Sequence, residues 1–152
     1  MKDKSKKILS EISAGELLDK ISILEIKLEK IKDKESLLEI NKEYNSLKET
    51  QNSNIKLTKN LENLIKELKE VNLKLWNIED NKRICEKNKD FGKVFVDLSR
   101  NVYLNNDKRA NIKSEINKIL GSNIPSAEKK CGQQCNNYKE HCSLKVDTVA
   151  NM

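Results

Sequence analysis

The chain has 152 residues, 36% of them charged, with only four Gly and one Pro, the composition of long helices in one ordinary domain. Its net charge of +6 comes from Lys interleaved with Glu and Asp, the pattern of a solvated helix face, which argues against a nucleic-acid partner. No apolar run is long enough to span a bilayer, and MKDKSKKILS leads into no apolar core of a signal peptide, so the expected compartment is the cytoplasm, where disulfides are disfavoured.

Residues 1–12 read as a flexible basic lead-in. Ser13-Ala14-Gly15-Glu16 is a capping box, in which the Ser13 hydroxyl accepts from an early backbone N–H and Glu16 reaches back to the Ser13 N–H. Ile12 is placed to staple onto Leu17. Leu17, Ile21, Leu24, Leu28 and Ile31 step by four and three along a first helix, with Leu18 and Ile26 widening its buried face. Asp33-Lys34 marks a break before a shorter helix carrying Leu37, Ile40, Tyr44 and Leu47, unless the two are one bent helix.

Thr50 to Asn54 reads as a polar connector. The longest helix is predicted from about Ile55 to Asn88. Its seam of Leu57, Leu61, Leu64, Leu68, Val71, Leu75, Ile78 and Cys85 demands a partner helix. The first helix, returning antiparallel, supplies one within the chain, and a coiled-coil homodimer is the competing solution. Cys85, at a seam position, reads as a small core residue. Asp90 is placed to cap a fourth helix, Phe91 to Leu104, whose apolar residues occupy two sides. Asn105-Asn106-Asp107 predicts its end and the cap of a fifth helix running to about Leu120, and Gly121 and Pro125 confirm the stop. The expected fold is therefore all-α, a bundle of four to five helices over residues 13–121 built on a long antiparallel helical hairpin, followed by a polar, cysteine-containing tail at 122–152.

The candidate chemistry gathers between Trp76 and Lys113. This stretch holds the three arginines, the one Trp and both Phe. Where Lys is the default cation, an Arg is retained for its planar fork of donors, suited to carboxylate and phosphate. Trp76, Glu79, Asp80 and Arg83 share one helix face, with pairing open to Arg83 from Glu79 or Asp80. Arg100 falls on the Val96/Tyr103 side of its helix. If that side is packed, Arg100 is partly buried and must be paired, by Glu79 or Asp80 or by an anionic ligand. Tyr103, Asn106, Asp107 and Arg109 lie near the same junction. The bland alternative is a polar network that fixes helix packing. No Walker loop, GxGxxG or ExxH pair occurs, and the single His (His141) lies in the tail, away from the helical core. No cofactor is implied. Cys131, Cys135, His141 and Cys142 offer four zinc donors, but the adjacent His-Cys pair is an awkward ligand set, and a tail of free thiols is the alternative.

Three separated stretches, ISAGELLDKISILEIKLEKI at 12–31, LWNIED at 75–80 and LSRNVYLNNDKRANIKSEIN at 98–117, resemble a family of small uncharacterised bacterial proteins, a domain of unknown function. In it, motifs of the type SAGEL-x-DKI-x-ILEIK, LW-x-IED and AR-x-VY-x-x-ND-x-RA-x-IK recur. The resemblance covers about Ile12 to Lys130 and leaves out the cysteine tail. It implies a compact helical domain and an association with cell-surface polysaccharide, but no activity. It marks Asp19, Lys20, Glu25, Lys27, Trp76, Glu79, Asp80, Arg100, Tyr103, Asn106, Asp107, Arg109 and Lys113 as motif positions. Three functions follow as expectations. The first is a binding or adaptor module with a protein partner, exposing an apolar or aromatic patch. The second is a small-molecule site or enzyme in which Arg83, Arg100 and Arg109 hold a phosphate or carboxylate. The third is a structural coiled-coil oligomer.

Overall fold

The computed structural model describes residues 8–121, and within them the chain forms four helices, α1 (Ala14–Lys30), α2 (Lys34–Asn54), α3 (Lys59–Asn88) and α4 (Lys93–Ile119), with no strand. The candidate zinc ligands Cys131, Cys135, His141 and Cys142 lie outside the described residues. None of the four helices is long and apolar enough to cross a membrane.

Local chemistry explains most of the boundaries. The Ser13 hydroxyl accepts from the Glu16 N–H at 3.2 Å, the first half of the expected capping box. The second half is not made, because the Glu16 carboxylate is drawn to Lys113 instead. α1 and α2 are separate: Ile31 turns extended, and Asp33 caps α2 by accepting from the Ser36 N–H at 2.9 Å. The TQNSN stretch belongs to α2, with Gln51 buried, so the true connector is 55–58 and Thr58 caps α3. Asp90 does not cap α4. Its carboxylate accepts from the Gly92 N–H at 3.1 Å inside the turn, and Gly92 occupies the N-cap position without a side-chain bond.

The largest departure is at Asn105-Asn106-Asp107. The predicted junction is mid-helix, and α4 runs unbroken through it. Asn105 is buried, and its amide donates to the Asn101 carbonyl one turn back at 2.8 Å. That local bond lets an otherwise turn-favouring residue sit in a helix, and tertiary packing does the rest. The bundle thus has four helices.

Its long antiparallel hairpin is α3–α4, joined by the short turn 89–92. α1, predicted to return antiparallel along α3, instead runs in the same sense as α3, because α2 intervenes. It lies over both hairpin helices. Leu18 packs with Leu61, Leu64, Leu68 and Ile116 in the main core cluster. α2 packs mainly on α1, with Leu37, Ile40, Tyr44 and Leu47 only half-buried. Polar ties cross these interfaces. The Tyr44 hydroxyl reaches Glu25 at 3.4 Å, and Lys69 reaches Glu29 at 2.8 Å and Glu25 at 3.3 Å. The Glu29 hydrogen bond holds the Lys69 ammonium charged above its ordinary range. Cys85 is buried, as its seam position requires.

α3 ends on Lys89 in the left-handed region, φ 54°, with its N–H on the Cys85 and Glu86 carbonyls. A side chain is strained there and glycine is not. Lys89→Gly is therefore expected to raise stability by about 1 kcal/mol, seen as a higher urea midpoint at unchanged slope.

Candidate functional site

The centre of the molecule is polar. α1 and α4 approach so closely at Gly15 that an added Cβ would lie 2.7 Å from the Lys113 carbonyl oxygen and 2.9 Å from Asn117 Oδ1. The Gly15 N–H donates to that Asn117 oxygen at 2.7 Å. One turn along α1, Asp19 is buried against three groups. Its Oδ1 accepts from Asn72 Nδ2 at 2.9 Å and faces Arg109 Nε at 3.8 Å, and its Oδ2 faces Lys113 Nζ at 3.8 Å. Asn72 also donates to Ser22 Oγ at 2.6 Å, and Ser22 donates to the Asp19 carbonyl at 2.8 Å. Lys113 is 1% exposed and places its ammonium 2.8 Å from Glu16 Oε1.

Among the described residues, two cations and two carboxylates therefore meet between α1 and α4, with an amide from α3. Burying such groups is very costly unless each is matched. The arrangement fixes the relative positions of three helices as a lock, since a shift of one helical turn would strand a charge. The charges of Asp19 are directed at partners within the fold, so it is not presented as a free base. Among the described residues no group of three or more His, Cys, Asp or Glu side chains could hold a metal ion.

The network opens onto a cleft of about 230 Å³. Ile23 and Ile26 of α1 and Leu75 of α3 form its apolar wall, with Asn72 behind. Trp76, Glu79, Arg83 and Arg109 complete the lining. Four of the residues singled out from sequence thus meet at one place, with Lys113 in the network beneath. Asp80 sits outside and pairs with Arg83 at 2.9 Å, while Glu79 stands 3.6 Å from Lys82 rather than pairing with Arg83. The Asp80–Arg83 pair is exposed and the longer Glu79–Lys82 contact partly so, and both contribute little.

The three arginines do not converge. Arg100 is exposed. It lies nine residues from Arg109, which at about 100° per residue places the two on opposite sides of α4. The condition for a buried, paired Arg100 is not met, because the Val96/Tyr103 side of α4 is open to solvent. Asn106 and Asp107 are half-buried and do not line the cleft. Conversely, Ser22, Asn72 and Asn117 carry the network and were not singled out from sequence. A signal existed for Asn72, a polar residue four positions after Leu68 and beside Val71 in a leucine seam. For Asn117, 102 residues from its partner, there was none.

A family model described as "Family of unknown function (DUF6165)" matches residues 8–136. The chain belongs to that family. The matched span takes in all four helices, the buried network and the cleft of this DUF6165 member. No curated protein and no solved structure matches the chain.

Proposed function

We propose that the chain is a helical binding module, an adaptor, whose contact surface is the free end of the α3–α4 hairpin and whose partner presents an apolar-striped helix. The supporting observation is a mismatch of lengths. α3 has 30 residues and α1 has 17, about 45 Å against about 25 Å. Ile26 of α1 lies level with the Trp76 cleft, and α1 ends at Lys30. Beyond it, among the described residues, α3 and α4 stand without a third helix. There Ile84, Phe91, Val94, Val96, Tyr103 and Leu104 remain 43–59% exposed.

Isolated exposed apolar residues are ordinary. Here Val94, Val96, Tyr103 and Leu104 lie on two sides of α4, of which α3 can cover only one. Phe91 and Phe95 stack edge to face, centroids 5.4 Å apart, a rigid aromatic pair of the kind found at protein contacts. The fold itself illustrates what suits such a face, since α1 lies over the other half of the same hairpin with Leu18 packed among Leu61, Leu64, Leu68 and Ile116. The proposed setting is the cytoplasm. The association with cell-surface polysaccharide implied by the resemblance suggests which partner proteins to try first.

The test is a photo-crosslinking amino acid placed at Val94 or Val96, with Leu38 on the exposed side of α2 as the control. Crosslinks to one discrete protein from α4 and not from α2 are the expected result. Val96→Asp, expected to change stability by no more than about 0.5 kcal/mol, should abolish them. A crosslink to a second copy of the chain would favour the coiled-coil oligomer instead, and equal labelling from all three positions would sink the adaptor.

A further inference from the structure

We propose that the cleft between α1, α3 and α4 is a binding site for a small ring-bearing anion, a carboxylate or phosphate carried on a single ring. The Arg109 side chain is only 23% exposed yet lines an open cleft, and Arg83, whose Nη1 pairs with Asp80, shares that lining. A guanidinium held in such a partly dry place attracts an anion far more strongly than one in bulk water, and its fork matches carboxylate and phosphate oxygens.

Asp19 stands at Arg109 Nε, and Asn72 and Ser22 hold Asp19 in turn. Arg109 is thus oriented before any ligand arrives, which reduces the ordering cost of binding. The remaining walls set the body of the ligand. The Trp76 indole and the side chains of Ile23, Ile26 and Leu75 offer flat and apolar surface to a ring. A volume of about 230 Å³ falls below the range of about 300–1,000 Å³ usual for drug-sized ligands, so the occupant is a single-ring compound. Glu79 at the rim repels a second negative charge and can accept from a ring hydroxyl.

This site is independent of the adaptor surface at the hairpin end, and each can fail without the other. Trp76 is the only tryptophan in the chain, so fluorescence excited at the red edge of the indole band, where the three tyrosines absorb little, reports on the cleft. The full chain is titrated with benzoate, phenyl phosphate and uncharged benzyl alcohol at constant ionic strength. A saturable change with benzoate or phenyl phosphate, with a dissociation constant on the order of millimolar for so few atoms, supports the site, and the tighter of the two names the head group. Arg83→Gln, at a side chain 73% exposed and so without consequence for folding, should weaken binding about tenfold. Arg109→Gln, checked for folding by its melting curve, should abolish it. The proposal is overturned by no saturable change with either anion, by equal binding of benzyl alcohol, or by affinities unchanged in both variants.

Discussion

Asp19→Ala is expected to lower the unfolding free energy by about 3–5 kcal/mol, the cost of breaking a buried ion pair from one side. The buried Lys113 ammonium would keep Glu16 but lose the carboxylate at 3.8 Å, Arg109 would lose the one at its Nε, and the Asn72 amide would keep only Ser22. Urea unfolding followed by circular dichroism measures the loss directly. Asp19→Asn should cost less, since an amide keeps a hydrogen-bonding oxygen for Asn72. A further signature separates a charge lock from simple loss of packing. In the double variant Asp19→Ala/Lys113→Met, the two single changes should fail to add, because both remove the same contact between Asp19 and Lys113. A cost below about 1 kcal/mol for Asp19→Ala, the level of an exposed pair, would mean that the network does not hold the helices.

Gly15→Ala is expected to destabilise the fold, although it adds a single methyl group. In an ordinary helix interior it would stabilise, by about 1 kcal/mol. Here the new methyl would meet the Lys113 carbonyl oxygen at 2.7 Å and Asn117 Oδ1 at 2.9 Å. The first is backbone and cannot rotate away, so α1 must retreat from α4. Retreat lengthens the 2.7 Å bond from the Gly15 N–H to Asn117 and the 2.8 Å contact between Glu16 and Lys113. A net loss of about 1–3 kcal/mol is expected from such overpacking, several degrees in melting temperature for a domain of this size. Gly92→Ala is the control. There the added carbon meets only the Asp90 carboxylate, at 3.3 Å, a side chain that can move. A Gly15→Ala protein as stable as the parent would show that α1 and α4 do not cross backbone to backbone.

The helical class and the main break between elements were legible in the residues alone, because both have local causes. Few breakers and an apolar period of three and four make helices, and Ser13 and Asp33 cap them through bonds three residues long. The same local logic failed where a longer-range force outweighed it. Asn105-Asn106-Asp107 has the composition of a turn but lies within a helix, and Glu16 has the spacing of a capping box but is taken by a lysine 97 positions away. Four candidate residues did meet in a cleft, because Trp76, Glu79 and Arg83 share a face of one helix. Whether Arg100 or Arg109 would join them depended on which side of α4 turned inward. That choice belongs to the tertiary structure: Ile116 and Lys113 face α1 on the same side as Arg109, and this leaves Arg100 in water. The residues alone therefore carry the helical class and the apolar stripes, both products of neighbours along the chain. Which helix covers which, and which buried charges find each other, only the packed structure decided, because burying a charge is tolerated only when its partner arrives from another element at the same time.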